Sequence, residues 1–161
     1  MNSDAGVIDR LSEFNRRIEQ RQARIAIIGL GYVGLPLALL YAEQNFPVTG
    51  FDIDGHKVET LNQGGSYIFR ITPAEIQAAR ERGFRATSEY SQLGKVDAII
   101  ICVPTPLDEY REPDLSYITG TAQAIAPHLQ AGQLVVLEST TYPGTTEEVL
   151  VPILRRATDR G

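Results

Sequence analysis

Arg24-Ile25-Ala26-Ile27-Ile28-Gly29-Leu30-Gly31-Tyr32-Val33-Gly34 is the stretch on which the reading of this chain turns. Its first five residues, RIAII, have the β-branched, apolar character of a short buried strand. The next six are G-x-G-x-x-G, and the pattern from Val33 to Gln44 reads as a helix. Gly29 permits a tight turn, Gly31 lets the backbone approach a pyrophosphate, and Gly34 allows the helix to pack closely on the strand. The helix N-terminus offers unpaired N–H groups and a partial positive charge to phosphates. Alone the pattern is weak; between a strand and a helix it has the context that dinucleotide binding requires.

Outward from this turn, short strand-like runs alternate with helical ones. Val48 to Phe51 reads as a second strand, followed by helical stretches at Gly55 to Asn62 and Pro73 to Arg82 that the Gly64-Gly65 break separates. Phe84 to Ala86 is a weak third strand, and Val96 to Val103 is an apolar run suited to a strand buried on both faces. A helix with one apolar face runs from Leu115 to Leu129, Leu134 to Leu137 is a fifth strand, and a last helix spans Thr145 to Arg156. Thr145 and Glu148 have capping-box spacing at its start. Such alternation predicts an α/β fold: a Rossmann-type, doubly wound parallel sheet with helices on both faces. A sixth strand would be expected after the last helix, so the chain reads as truncated before further catalytic and substrate domains. Residues 1–22 read as an appended helix, with Val7, Leu11, Phe14 and Ile18 at helical spacing and packed on the flank of the domain at 23–161.

Asp52 ends the second strand, 23 residues after Gly29. A carboxylate there accepts hydrogen bonds from the adenosine ribose hydroxyls and repels a 2′-phosphate, which favours NAD over NADP. Its alternative role is to cap the next helix. Lys57 lies close enough to soften the discrimination, while Asp54 and His56 read as a solvated turn. Two polar clusters close the fourth and fifth strands: Val103-Pro104-Thr105-Pro106 and Glu138-Ser139-Thr140-Thr141-Tyr142-Pro143-Gly144. Ligands of open α/β sheets bind beyond the carboxyl ends of the strands, so Gly29, Asp52, Thr105 and Thr141 converge on one edge. Thr105 suits a ribose or phosphate contact, and Thr140 and Thr141 suit the nicotinamide side or a water; each hydroxyl could instead cap a turn.

Composition bounds the remaining possibilities. The 161 residues carry a formal charge of −5, which leaves no electrostatic footprint for nucleic acid. No run reaches the roughly 18 apolar residues of a membrane span, and the polar N-terminus is unlike a signal peptide, so a cytoplasmic protein is expected. Cys102 is the sole cysteine, which excludes an internal disulfide and a cysteine-based metal cluster. Within an apolar strand it reads as an inert core thiol. His128 reads as a solvated residue at a helix end, and no metal-ligand spacing, Ser-His-Asp set or carboxylate pair can be assembled.

Together GLGYVGLPLA (Gly29 to Ala38), FDIDGHKV (Phe51 to Val58), CVPTPL (Cys102 to Leu107) and ESTTYPGTTEE (Glu138 to Glu148) resemble the UDP-glucose/GDP-mannose dehydrogenase family. The resemblance covers the chain from about Arg24 onward and implies oxidation of a nucleotide sugar's C6 alcohol to a carboxylate with two NAD. Carried onto this sequence, it implies that Val33 and the turn residues Gly29, Leu30, Gly31, Tyr32 and Gly34 bind the pyrophosphate. Asp52 and Lys57 would contact the adenosine ribose, Val103, Pro104 and Thr105 the cofactor near phosphates and ribose, and Thr140 would lie nearby. Thr141 matches the threonine that helps hold a water at the reacting carbon. GGSYIFRI (Gly64 to Ile71) and PTPLDEYREPDLSYI (Pro104 to Ile118) resemble the branch acting on UDP-N-acetylhexosamines, UDP-N-acetylglucosamine above all, with Arg70 standing where that branch has a histidine.

The family implies further parts that have no counterpart in this chain: a cysteine nucleophile with assisting lysine, asparagine and glutamates, a helical dimerisation segment and a UDP-binding domain. The expectation is a cofactor domain that does not turn over UDP-sugar by itself, from an enzyme that is a homo-oligomer at full length. The alternative, from a different functional class, is a stand-alone NAD-sensing or regulatory module, since Rossmann domains host many functions.

Overall fold

The computed structural model describes residues 3–107 and 109–158. Five parallel strands, β1 (Ile25–Ile28), β2 (Val48–Phe51), β3 (Arg85–Thr87), β4 (Ala98–Ile101) and β5 (Leu134–Leu137), form one sheet in the order β3-β2-β1-β4-β5. From β1 the chain winds outward through β2 and β3, then returns to the other side of β1 for β4 and β5. That reversal opens a crevice at the carboxyl ends of β1 and β4, where such folds bind ligands.

Strand alternation divides the core. Ile25 and Ile27 of β1 point to one face with Ile100 of β4, where they meet Leu35, Ala38 and Ala42 of α2 (Gly34–Glu43) and Leu61 of α3 (Gly55–Asn62). Ile76 of α4 (Pro73–Glu81) completes that layer. Ala26 and Ile28 point to the opposite face with Phe51, Ile99 and Ile101, covered by Ala122 and Ile125 of α5 (Ser116–Ile125) and by Leu150. Every residue of β1 and β4 is buried, as strands covered on both faces require. Burying one such side chain contributes about 1.5–3 kcal/mol before conformational entropy is set against it.

The N-terminal helix α1 (Ser3–Glu19) departs from a simple amphipathic flank. Phe14 packs against the core, but Val7 and Leu11 are more than half exposed and Ile18 is 36% exposed. Polar ties hold the helix instead: Arg17 Nη1 donates to Asp97 Oδ1 at 2.8 Å, at the amino-terminal end of β4. Residues 1 and 2 of the expected appendage and 159–161 of the expected domain lie outside the described residues.

Two expectations are corrected. The apolar run Val96 to Val103 yields a four-residue strand, because Asp97 turns its carboxylate to Arg17 and Arg24, and Val103-Pro104 leads the chain away at the other end. The helix expected from Thr145 is split into a π-helical turn (Thr146–Leu150) and α6 (Val151–Thr158). Pro152 has no N–H for the carbonyl four residues back, and a wider turn accommodates that loss. Thr145 makes no capping box: its backbone is already helical (φ −51°, ψ −39°), and its hydroxyl donates to Tyr142 C=O at 2.8 Å. A capping box forms instead at α4, where the Thr72 hydroxyl accepts from Glu75 N–H and the Glu75 carboxylate accepts from Thr72 N–H.

Candidate functional site

Strand register builds the site. Ile28 pairs with both Phe51 and Ile101, and Ile101 pairs with Leu137, so three neighbouring strands and β5 end level with one another. Backbone bonds carry the alignment one residue further: Gly29 N–H to Phe51 C=O at 2.7 Å, Cys102 N–H to Ile28 C=O at 2.8 Å, and Glu138 N–H to Ile101 C=O at 2.9 Å. The four turns that follow enclose a cleft of about 920 Å³, lined by Gly29, Gly31, Asp52, Lys57, Thr105 and Thr140 among others.

The three glycines of the first turn differ in what demands them. Gly29 has φ +91°, and a Cβ there would fall 2.8 Å from the Cys102 carbonyl oxygen. A Cβ on Gly34 would lie 1.8 Å from the Gly29 carbonyl oxygen, so that position serves helix-strand contact. Gly31 has no positive φ, and nothing in the protein lies within 4 Å of where its Cβ would be. Its neighbours do not require a glycine; the open space does, if a ligand is to approach the backbone. Among the described residues the N–H groups of Gly31, Tyr32 and Val33 make no hydrogen bond, which leaves three donors at the entry to α2. The Leu30 side chain is fully buried over Gly50, so Leu30 meets the turn through its backbone only. Tyr32 and Val33 are exposed at the cleft.

Asp52 is 7% exposed and stands between the turns. Its Oδ2 accepts from Leu30 N–H at 2.9 Å and its Oδ1 from Asp54 N–H at 3.0 Å. A carboxylate has about four acceptor positions, so two remain for a ligand. Lys57 Nζ lies 3.6 Å from Asp52 Oδ2, an ion pair that commits the lysine to the carboxylate. The helix cap is Asp54, whose Oδ1 accepts from His56 and Lys57 N–H, and this leaves Asp52 to the cleft.

The two threonine-proline turns are tied to each other. Thr105 Oγ1 donates to Thr140 C=O at 2.6 Å, and Ser139 Oγ donates to Val103 C=O at 2.8 Å. The Thr105 hydroxyl oxygen keeps its acceptor capacity, and Val103, Pro104, Thr105 and Thr140 all line the cleft. Thr141 does not line it; its hydroxyl lies 3.5 Å from Tyr142 C=O. Cys102 is buried, and burial together with the nearby charge of Glu138 pushes its thiol up to about 11, which keeps it protonated and unreactive near neutral pH.

Two aromatic residues at the site were not legible as site residues in the sequence. Tyr90 lies against Phe51, with ring centroids 5.9 Å apart, and lines the cleft. Tyr67 reaches from the segment between α3 and α4 and donates its hydroxyl to Leu30 C=O at 2.5 Å. Neither position has a periodicity or a spacing that distinguishes it from a loop aromatic.

Free N–H groups at a helix N-terminus, beside open space and a carboxylate with spare acceptors, fit a dinucleotide: phosphates at the former, ribose hydroxyls at the latter. A family model described as the UDP-glucose/GDP-mannose dehydrogenase family, NAD binding domain, matches residues 23–161. The chain is 39% identical over 136 residues to a UDP-N-acetyl-D-glucosamine 6-dehydrogenase from Pseudomonas aeruginosa, covering 84% of this chain and 32% of that protein. It is 44% identical over 139 residues to an NDP-N-acetyl-D-galactosaminuronic acid dehydrogenase from Ralstonia nicotianae, with the same coverage of each. The crystal structure of a ternary complex of GDP-mannose dehydrogenase from Pseudomonas aeruginosa superposes with a TM-score of 0.79 at 30% identity, over 84% of this chain and 33% of that one. The chain therefore spans about a third of the length of these proteins.

Proposed function

The chain belongs to the UDP-glucose/GDP-mannose dehydrogenase family, and we propose that it is the NAD-binding part of an enzyme oxidising the C6 alcohol of a UDP-N-acetylhexosamine to a carboxylate. UDP-N-acetylglucosamine is the favoured sugar, in keeping with the Gly64 to Ile71 segment and with a relative that carries that substrate in its name. The observation that carries the cofactor reading is Gly31: neither its backbone angle nor its packing calls for glycine, yet open space and unpaired N–H groups surround it.

NAD supplies the hydride acceptor, and two of them account for the four electrons between an alcohol and a carboxylate. The chain's own residues bind and orient. The N–H groups of Gly31, Tyr32 and Val33 hold the pyrophosphate, with Gly29 and Gly34 setting the turn and Leu30 contributing its backbone. Asp52 accepts from the adenosine ribose hydroxyls, and Lys57, held to Asp52, closes that side. Val103, Pro104 and Thr105, which line the cleft, would contact the cofactor near its phosphates and ribose, and Thr140 would serve the nicotinamide side. Thr141 assists at the reacting carbon by holding a water, from a turn beside the cleft. The whole enzyme is a cytoplasmic homo-oligomer in this reading, and among the described residues no helix is long and apolar enough to cross a membrane.

Calorimetry on the 161-residue chain tests the reading. NAD binds at least about tenfold more tightly than NADP, because a carboxylate contacting the adenosine ribose would repel a 2′-phosphate. No UDP-sugar oxidation accompanies that binding. Equal affinity for the two cofactors would remove the role given to Asp52, and turnover by this chain would remove the division of labour.

A further inference from the structure

We propose that Tyr67 is a positioning residue for the pyrophosphate turn: by holding the Leu30 carbonyl it fixes the direction in which the Gly31 N–H points. The inference rests on the cofactor reading of the cleft and adds a residue that the glycine motif does not contain.

The Leu30–Gly31 peptide turns about Leu30 ψ and Gly31 φ, and the peptide before it turns about Gly29 ψ, so each has a glycine on one side, the residue whose backbone angles are least restrained. Left to itself, this peptide plane can rotate and turn its N–H away from a ligand. Two bonds restrain the turn, one on each peptide of Leu30. The Leu30 N–H donates to Asp52 Oδ2 at 2.9 Å, which fixes the preceding peptide. The Tyr67 hydroxyl donates to Leu30 C=O at 2.5 Å, which fixes the next one. A trans peptide is planar, with its C=O and N–H on opposite sides, so a carbonyl held toward Tyr67 directs the Gly31 N–H the other way. That N–H has no partner among the described residues, and Gly31 lines the cleft.

Tyr67 is suited to hold one orientation. It is partly buried, and Ile68 beside it is buried in the core, so the ring is anchored from its own segment. Lys57 Nζ lies 5.8 Å from its ring centroid, and the same nitrogen is 3.6 Å from Asp52 Oδ2. The tyrosine thus stands against both the phosphate and the ribose ends of the proposed site. Burial first, then the charges of Asp52 and Asp54, push the phenol's pKa well above its ordinary value, so the hydroxyl stays protonated and a donor at neutral pH.

The test is Tyr67→Phe, which removes the hydroxyl and keeps the ring beside Lys57. NAD, ADP and adenosine are titrated into wild type and variant by nuclear magnetic resonance, alongside thermal unfolding. NAD and ADP, which carry the pyrophosphate, bind about three- to tenfold more weakly to the variant, the loss expected for one hydrogen bond. Adenosine, which lacks it, binds equally to both. In the wild type the Tyr67 hydroxyl proton gives a resonance protected from exchange, a readout that needs no variant. Unchanged NAD affinity in the variant overturns the proposal, and so does an equal loss for all three ligands, which marks a merely structural role. A freely exchanging hydroxyl proton overturns it as well. Failure of the wild type to bind NAD overturns the cofactor reading itself, an outcome distinct from the others.

Discussion

Asp52 and Asp97 sit at opposite ends of the sheet and begin from the same chemistry, a carboxylate beside a strand terminus that accepts a backbone N–H. At the amino end Asp97 is saturated. Arg24 N–H and Nε donate to its Oδ2 at 2.8 and 3.1 Å, and Arg17 Nη1 and Arg24 Nη2 donate to its Oδ1 at 2.8 and 3.2 Å. At the carboxyl end Asp52 accepts two backbone bonds, and its lysine stays at 3.6 Å. A carboxylate with every acceptor position filled is an anchor, here joining α1, β1 and β4. One with two positions open at a cleft has capacity for a ligand. The pair differs in how many partners the fold brings to one residue type, and that difference separates an anchor from a carboxylate with acceptors to spare.

The widest separation between the two should come from Asp52→Ala. Losing charge-assisted bonds to the ribose hydroxyls lowers NAD affinity about 100-fold, measured by calorimetry. NADP loses less, so the preference between the cofactors narrows. A fall in NAD affinity after Asp97→Asn would break the comparison; none is expected.

Asp97→Asn instead lowers stability by about 1–2 kcal/mol at neutral pH, a modest figure because Arg24 is half exposed and solvent screens the pair. The pH dependence of that loss sharpens the assignment. Burial raises the Asp97 carboxyl, but the Arg24 side-chain and backbone bonds and the charges of Arg24 and Arg17 outweigh it and hold the group below its ordinary value. A folded-state value lower than the unfolded one means stability that is present above the unfolded value and is lost as pH falls through the folded one. Urea unfolding of wild type and variant therefore diverges at neutral pH and converges below the ordinary carboxylate range. A constant difference across that range would assign the anchor to packing.

Thr105→Val should give the smallest effect, a loss of about threefold in NAD affinity with the unfolding midpoint little changed. It removes the 2.6 Å tie between the two threonine-proline turns at an exposed edge of the cleft. A large drop in thermal stability would instead make that tie part of the framework.

How far the chain could be read in advance varies with the range of the interactions. The spans of β2, α3 and β5 follow from local pattern and agree residue for residue with the structure. The doubly wound parallel sheet follows from the alternation and the handedness of parallel crossovers, while the order β3-β2-β1-β4-β5 is supplied by the structure. Thr145 misled because capping-box spacing is a local signal, while the backbone at Thr145 is helical, with Pro152 breaking the regular pattern about two turns on. Thr72 carries the same spacing, with Pro73 in the first turn, and there the cap does form. Tyr67 could not be placed, since its partner Leu30 lies 37 residues away.

By itself the sequence determined the glycine turn, the carboxylate at the end of β2 and the family to which they belong, because each depends on residues close together in the chain. Only the tertiary structure decided which acceptors of Asp52 stay open, that nothing in the protein around Gly31 calls for a glycine, and what holds the Leu30–Gly31 peptide. Those are counts of partners and of empty space, and they exist once strands separated by tens of residues have been set side by side.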